Sequence, residues 1–447
     1  MNDRAVLPAP ELQLRLDSHA IPTRRPSIGP IDTAPLVFTA YQRQPDDFDW
    51  EALHQEAIRL AQEILPGLDH SLATAEGRRI LRRRRLAGFR TSWENYWINS
   101  RRLREGDHSF RPIYFIWTML NACNYRCAYC DDHMGRKYPD LPDQGKLDTD
   151  QGLNLLRVMR TGTQSIYFCG GEPTLRPDLP RMAREAARLN YFPILINSNG
   201  SRFHINLKKP EWHDFLTHLD IIIVSLDGVK PASLNALYVT TESDRVPLNI
   251  LLLRELRRHI PFKLVVNSVI TPDNIEEVSR VVDLCRDLGI WFVPCPANVG
   301  PEISDGLLNR PGYRALARKI LDRKAEGQKI VGSPTLLGNL LSGKSVTCYT
   351  ALKPHIDFNG DMLWPCKATL NVPPQRVNVL DYADVDEMYR AASQLVNPNR
   401  FHGPGADQCG ANCNWMQNQT TDAYIRGLRA PFRSGFLREI REFMLSS

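Results

Sequence analysis

Short β-branched runs alternate with longer segments of helical period through the middle of the chain. Six runs predict strands, at 113–119, 165–168, 193–196, 221–224, 264–269 and 290–293. Between them, apolar residues recur every three or four positions at 148–160, 178–189, 247–259 and 274–288, which is the spacing of one buried helix face. Strands that alternate with helical crossovers favour the α/β class, with a parallel sheet rolled toward a barrel.

Other patterns flank this region. Residues 1–45 carry prolines at intervals and few large apolar side chains, so we expect an extended arm. Apolar spacing predicts helices at 49–65 and 73–103. Beyond about residue 343 the helical period weakens and cysteines appear, and we expect short helices at 384–392 and 436–444.

These patterns divide the chain into five segments. We expect a Pro-rich arm at 1–45, an N-terminal helical extension at 46–108 and a core at 109–300. A helical connector at 301–342 would lead to a small C-terminal unit at 343–447.

Three cysteines follow the first predicted strand. Cys123, Cys127 and Cys130 have the spacing Cys-x3-Cys-x2-Cys, and thiolates on one loop can converge on three irons of a [4Fe-4S] cluster. The fourth iron would then stay open to another ligand. A structural zinc site usually takes four ligands in two close pairs, so zinc is the less favoured interpretation.

This loop, with Tyr129 directly before its last cysteine, resembles the signature of the radical S-adenosylmethionine (SAM) superfamily. The resemblance covers roughly residues 110–300 and implies a partial (β/α)6 barrel. It also implies that a [4Fe-4S] cluster on the three cysteines binds SAM and cleaves it reductively to a 5′-deoxyadenosyl radical. In that family the aromatic residue before the last cysteine packs near the adenine.

Further polar motifs follow the next three strands in order. The residues after the second strand resemble the GGEP motif, which in this family orients the SAM ammonium; they are Gly170, Gly171, Glu172 and Pro173. The ends of the third and fourth strands resemble the polar positions that contact the SAM ribose and carboxylate, at Asn197, Ser198, Ser225 and Asp227. Each of these four residues is equally compatible with a turn or a helix cap, and Asn267 is a weaker candidate. Parallel α/β barrels place their active sites at these carboxyl ends.

A second set of cysteines lies near the C-terminus, at Cys348, Cys366, Cys409 and Cys413. Alternation around Asn359-Gly360 predicts a hairpin between the first two. The arrangement resembles the twitch or SPASM extension of radical SAM enzymes, and four thiolates imply one auxiliary [4Fe-4S] cluster. A zinc site, or three ligands with a substrate-binding iron, remain as alternatives.

The remaining thiols and two histidines complete the candidate chemistry. Cys285 lies in a helical pattern and is typical of a small buried side chain. Cys169 adjoins the GGEP loop, and Cys295 ends the sixth strand, where it is a candidate hydrogen donor. His133 and His355 are candidates for a general base.

The resemblance implies an enzyme in which the radical abstracts hydrogen from a small-molecule substrate. Dehydrogenation, dehydration, epimerisation and carbon–carbon bond formation all fit, so oxidoreductase and lyase activities both remain open. A one-electron donor such as flavodoxin or ferredoxin would supply the electron that reduces the cluster. The alternative is a maturase that modifies a ribosomal precursor peptide.

Composition and charge limit the classes of possible binding partner. A content of 43% hydrophobic and 24% charged residues is that of a globular protein, and a formal charge of +6 on 447 residues is too modest to favour nucleic acid. The basic run Arg82, Arg83, Arg84 and Arg85 could face an anionic surface, but a solvated helix face is the favoured interpretation. We expect no membrane span and no secretory signal, and ten cysteines then favour a reduced, cytoplasmic protein.

Overall fold

In the computed structural model of the protein, the described residues are 30–130, 145–299, 302–366, 374–400, 413–414 and 416–430. The predicted helix at 436–444 lies outside these residues, as do Cys409 and His133. None of the described helices is both long enough and apolar enough to span a membrane.

Six parallel strands form the centre of a nine-stranded sheet and follow one another in chain order. They are β1 (Phe115–Thr118), β2 (Ile166–Cys169), β3 (Ile194–Ser198), β4 (Ile221–Ser225), β5 (Lys263–Ile270) and β6 (Trp291–Pro296). All six coincide with predicted apolar runs. The predicted α/β class with a parallel sheet is confirmed, and the six-strand order is that of the expected partial barrel.

The helices include the predicted crossovers and several short helices that apolar spacing did not indicate. They are α1 (Trp50–Ile64), α2 (Ala75–Glu105), α3 (Thr149–Arg160), α4 (Leu179–Arg188), α5 (Phe203–Asn206), α6 (Phe215–His218), α7 (Pro231–Tyr238), α8 (Arg245–Leu256), α9 (Ile275–Asp287), α10 (Asp305–Leu308), α11 (Pro311–Ala325), α12 (Pro334–Leu341), α13 (Val385–Leu395) and α14 (Met416–Arg429). Local chemistry sets several starts: Asp148 and Gln151 form a capping box on α3, and Asp49 caps α1.

The two faces of the sheet have different surroundings. One face carries large apolar residues such as Trp117, Phe168 and Ile196, which are fully buried in the main core with the helices. The other face carries a smaller apolar cluster at Leu195, Ile221, Val265, Trp291 and Val293. Strand register keeps alternate residues on the same face from one strand to the next. Because the crossover helices pack on the first face, the second face is the inside of the partial barrel, and we call it the concave face.

A C-terminal hairpin extends this sheet beyond β1. The strand β9 (His355–Ile356) pairs in parallel with β1, and β10 (Asp361–Trp364) pairs antiparallel with both β9 and β11 (Gln375–Asn378). Gly360 takes a φ of +87° in the predicted turn. A separate pair, β7 (Asn298–Val299) and β8 (Glu302–Ile303), follows β6. The C-terminal unit is therefore hydrogen-bonded to the edge of the core sheet.

The N-terminal segments pack on the outside of the core. Residues 30–45 form neither helix nor strand, and their backbone is held at Asp287, whose carboxylate accepts from the amides of Thr39, Ala40 and Tyr41. In the arginine run, Arg84 forms a buried ion pair with Asp220 at 2.6 Å. Arg84 is therefore a structural residue and not part of a basic surface.

Candidate active site

The cysteine loop and the glycine loop are bonded to each other at the carboxyl ends of β1 and β2. The amide of Gly171 donates to the carbonyl of Leu120 at 2.9 Å, and that of Glu172 to the carbonyl of Ala122 at 2.8 Å. A Cβ on Gly171 would lie 1.9 Å from the Ala122 oxygen, so only glycine allows this approach. The two motifs are therefore built as one unit.

The three thiols of the cysteine loop are partly buried. Burial and the nearby Glu172 carboxylate raise the pKa of Cys123 to about 11. The pKa of Cys127 is raised further by burial, by Asp227, and by the other two thiols. Thiolates this close together repel each other. A bound iron centre would displace the thiol protons and neutralise the negative charge of the thiolates, so these residues suit a cationic centre.

The thiol donors fit an iron–sulfur cluster. Among the described residues, no three Cys, His, Asp or Glu side chains are arranged to hold a single metal ion. A cluster makes a different demand, because each thiolate binds its own iron. Cys123 Sγ also accepts weak hydrogen bonds from the Tyr125 amide at 3.4 Å and from Asn199 Nδ2 at 3.8 Å, and such contacts hold a ligating side chain in a fixed orientation.

Glu172 is fully buried, with 0% of its surface exposed. Its carboxylate accepts from the Thr174 amide at 3.0 Å, the Thr174 hydroxyl at 2.5 Å, the Ser198 hydroxyl at 2.7 Å and the Asn199 amide at 2.6 Å. Burial raises the pKa of this carboxyl. The side chain thus ties the glycine loop to the end of β3, and Pro173 begins the 3-10 helix Pro173–Leu175 beside it.

The two polar residues that end β3 have different surroundings. Ser198 is buried and bonded to Glu172, so its hydroxyl is part of the scaffold. Asn197 lies on the concave face, and its Oδ1 is buried without a hydrogen-bond partner in the described part of the chain. Of the pair, Asn197 is the residue with a free polar atom for a ligand.

Asp227 fixes the position of Tyr129. The Tyr129 hydroxyl donates to the Asp227 carboxylate, which also accepts from the Val269 amide at 2.6 Å. Burial raises the pKa of Asp227 to about 6. Its own amide donates to the hydroxyl of Tyr238, whose ring stacks on Tyr125 with 5.4 Å between centroids.

Sequence patterns did not single out Tyr238 or Asn199, although both support the cysteine loop. A tyrosine at the end of a short helix carries no signal of its own, whereas the Asn-Ser-Asn-Gly run could have pointed to Asn199. Ser225, the last residue of β4, pairs in register with Asn267 in the middle of β5, and both are half-buried. The structure therefore brings every predicted SAM-contacting residue to one rim of the sheet.

A second group of cysteines gathers around Asn418 on α14. The thiol of Cys348 lies 3.4 Å from Asn418 Oδ1, and Asn418 Nδ2 donates to Cys413 Sγ at 2.7 Å. Cys366 lines the same cavity as Asn418 and His355. Asn418 thus contacts two thiols and shares a cavity with a third, and thiols are the donors that an iron–sulfur centre takes. The predicted fourth ligand, Cys409, lies outside the described residues.

The other candidate cysteines fall in two environments. Cys285 is fully buried in α9, as its helical pattern predicted. Cys169 and Cys295 lie in register with Thr118 and Val269 on the concave face. They are half-buried there, on the same face as Asn197.

Comparisons with known proteins agree with this geometry. Residues 117–291 match the model of the Radical SAM superfamily. Over 174 residues the chain is 30% identical to the "Probable GTP 3′,8-cyclase" of Saccharolobus islandicus, covering 39% of this chain and 53% of the relative. The chain thus spans about half the length of that relative.

Two solved structures match parts of the chain at low identity. SuiB of Streptococcus suis bound to S-adenosylmethionine is 18% identical with a TM-score of 0.47, over 62% of this chain and 65% of that one. The structure of anSMEcpe with bound AdoMet is 15% identical with a TM-score of 0.47, over 74% of this chain and 98% of that one. Residues 117–291 of the chain are thus similar to the radical SAM superfamily.

Proposed function

We propose that this protein is a radical SAM enzyme that abstracts hydrogen from a small-molecule substrate with the help of one auxiliary [4Fe-4S] cluster. The observation that carries the proposal is the joining of the cysteine loop to the glycine loop through the amides of Gly171 and Glu172. That joint lies where β1 and β2 end, so the three thiols follow the carboxyl end of a parallel strand. Such a rim is where α/β barrels hold their ligands.

The chain's own residues would hold and orient the cofactors. Cys123, Cys127 and Cys130 would bind a [4Fe-4S] cluster, which with SAM and one electron supplies a 5′-deoxyadenosyl radical. Asn197 offers a free amide oxygen, and Tyr129 is held by Asp227 where the adenine would pack. A one-electron donor such as flavodoxin or ferredoxin would be the partner.

The lining of the concave face suits a radical reaction. Apolar residues line it below the polar rim, including Ile221, Val265 and Val293. A carbon radical formed there would meet few hydrogen donors besides the substrate. Cys169 and Cys295 face the same space, so either thiol is placed to return a hydrogen atom to a substrate radical.

The second set of cysteines supports an auxiliary centre. Asn418 contacts two of these thiols and shares a cavity with a third. Cys348, Cys366, Cys409 and Cys413 would fill the four iron positions of one cluster. Such a centre can accept the electron that a substrate radical loses in a dehydrogenation.

Anaerobic measurement of iron and sulfide content, together with EPR, tests the assignment of the two cysteine sets to two separate clusters. We compare wild type, a Cys123/Cys127/Cys130→Ala variant, a Cys348/Cys366/Cys413→Ala variant, and Cys285→Ala as a control for a buried thiol. Two four-iron clusters predict about eight irons per chain in wild type and the control, and about four in each triple variant. About four irons in wild type and none in the first variant would remove the auxiliary cluster.

A further inference from the structure

A small polar cavity lies beside the strand β9, where α14 begins. Thr350 and Lys353 line it from the segment before β9. Gln417 and Asn418 line it from the first turn of α14. Of the C-terminal cysteines that the structure describes, only Cys366 reaches this cavity. No aspartate or glutamate is among its described lining residues, so the walls supply polar groups but no carboxylate.

Lys353 is a buried cation of this cavity. Only 7% of the residue is exposed, and its Nζ lies 4.6 Å from the centre of the Tyr114 ring. In the described part of the chain its ammonium group has neither a hydrogen-bond acceptor nor a carboxylate partner. Burying such a group without a counter-charge is strongly unfavourable, and burial lowers the pKa of Lys353 to about 7. The ring offsets only part of that cost, so an anion in the cavity would stabilise the charged form.

The start of α14 also favours an anion here. The helix begins at Met416 and has 14 residues, and the first N–H groups of a helix have no acceptor within it. These groups and the helix dipole give the N-terminus a partial positive charge. Gln417 and Asn418 bring that end of the helix to the cavity wall. Two independent positive features, a buried ammonium group and a helix N-terminus, therefore meet at one cavity.

Two uncharged side chains of the lining are also incomplete. The hydroxyl of Thr350 and the Oε1 of Gln417 are buried, and neither atom has a hydrogen-bond partner among the described residues. Buried polar atoms are normally paired, so these two indicate a ligand. The Thr350 hydroxyl can donate to an anion, and a half-turn of the Gln417 amide presents its Nε2 hydrogens as donors.

The size of the cavity limits the ligand. Its volume is about 20 Å³, and a single water needs about 10–15 Å³, so it holds about one or two atoms the size of oxygen. A planar carboxylate group matches that space, whereas a phosphate with its four oxygens exceeds it. We propose that the cavity binds the carboxylate of a small organic acid, with Lys353 as its counter-charge and Thr350 and the start of α14 as hydrogen-bond donors.

This carboxylate site is separate from the proposed SAM site. Lys353 precedes β9, which runs parallel to β1, so the cavity lies toward the amino ends of the strands. The cysteine loop follows the carboxyl end of β1. The inference also does not depend on the auxiliary cluster, because none of the groups that would bind the carboxylate is a cysteine.

The test is isothermal titration calorimetry with sodium acetate on the iron-loaded full-length protein, at constant ionic strength and at a pH below the lysine pKa of about 7. Lys353→Met removes the charge and keeps the length of the side chain, and Thr350→Val removes only the hydroxyl. Lys324→Met is the control, because Lys324 is a buried lysine outside this cavity that donates to the carbonyl of Ile330 at 2.6 Å. Circular dichroism checks that each variant is folded.

We expect wild type and Lys324→Met to bind one acetate per chain with equal affinity. Lys353→Met should bind acetate at least about tenfold more weakly and Thr350→Val about fivefold more weakly, because hydrogen bonds to a charged group are among the strong ones. Sodium chloride should bind to wild type at least about tenfold more weakly than acetate, because one spherical ion makes fewer contacts in a space for two oxygens.

Folded wild type without saturable acetate binding would overturn the inference. So would equal acetate affinity in wild type and Lys353→Met, or chloride binding as tight as acetate binding. If Lys353→Met does not fold, Thr350→Val decides, and an unchanged acetate affinity in that variant would overturn the inference.

Discussion

Replacing Gly171 with alanine should separate the two motifs of the active site. The new Cβ would lie 1.9 Å from the Ala122 oxygen and 2.5 Å from its carbonyl carbon. Ordinary contacts begin at 3.4 Å, so the two backbones must move apart by about 1.5 Å. Both neighbours are main-chain atoms, and no side-chain rotation can relieve the clash.

The energetic cost can be worked out from the same contacts. Overpacking costs roughly 1–3 kcal/mol, and each of the two backbone hydrogen bonds between the loops contributes about 1 kcal/mol. A total of about 3–5 kcal/mol exceeds what a loop next to Cys123 can absorb in place. We therefore expect residues 120–123 to shift, with loss of the iron held there, while the sheet stays folded.

The assay is iron content together with 5′-deoxyadenosine release, followed by thermal unfolding. Gly338→Ala in α12 is the matched control, because its Cβ would meet nothing within 4 Å. We expect the control to match wild type and Gly171→Ala to lose at least nine-tenths of its deoxyadenosine release. Full iron and full SAM cleavage in Gly171→Ala would refute the idea that the loops form one unit.

Three further predictions concern other parts of the chain. Arg84→Met leaves buried Asp220 unpaired and should lower the free energy of unfolding by about 3–5 kcal/mol in urea titrations; exposed Arg83→Met should change it by less than about 0.5 kcal/mol. Burial lowers the pKa of His54 below 6.5, so the unfolded chain gains protons that the folded one does not, and stability falls as pH drops from about 7.5 to 5.5. The variant His54→Leu should lose less stability over that range, and an equal loss would contradict the prediction. Asn418→Leu removes the contacts to Cys348 and Cys413, and we expect it to lose the auxiliary iron yet still cleave SAM; wild-type iron content would contradict this.

Elements with a strong apolar period were predictable from the sequence. Each of β1 to β6 is a run of apolar residues, and its crossover helix repeats at helical spacing, so local pattern and tertiary structure agree. The cysteine and glycine loops were predictable as well, because they directly follow these strands. Their bonding through Gly171 needs a glycine there, because a Cβ would lie 1.9 Å from the Ala122 oxygen.

Features that depend on distant residues were not predictable. The pairing of β9 with β1 places Ile116 beside His355. A strand of two residues is too short to show the alternation by which strands are recognised in a sequence. The gathering of cysteines around Asn418 depends on where α14 packs, and its apolar spacing was not distinguished from the surrounding loops. Burial separates Arg84 from Arg83, although the two are identical in local sequence.

The most direct test of the account is the release of 5′-deoxyadenosine from SAM under dithionite, with iron-reconstituted wild type and the Cys123/Cys127/Cys130→Ala variant side by side. The account predicts deoxyadenosine from wild type, none from the triple variant, and retained auxiliary iron in that variant. Folded, iron-loaded wild type that releases no deoxyadenosine, or a triple variant that releases as much as wild type, would contradict it.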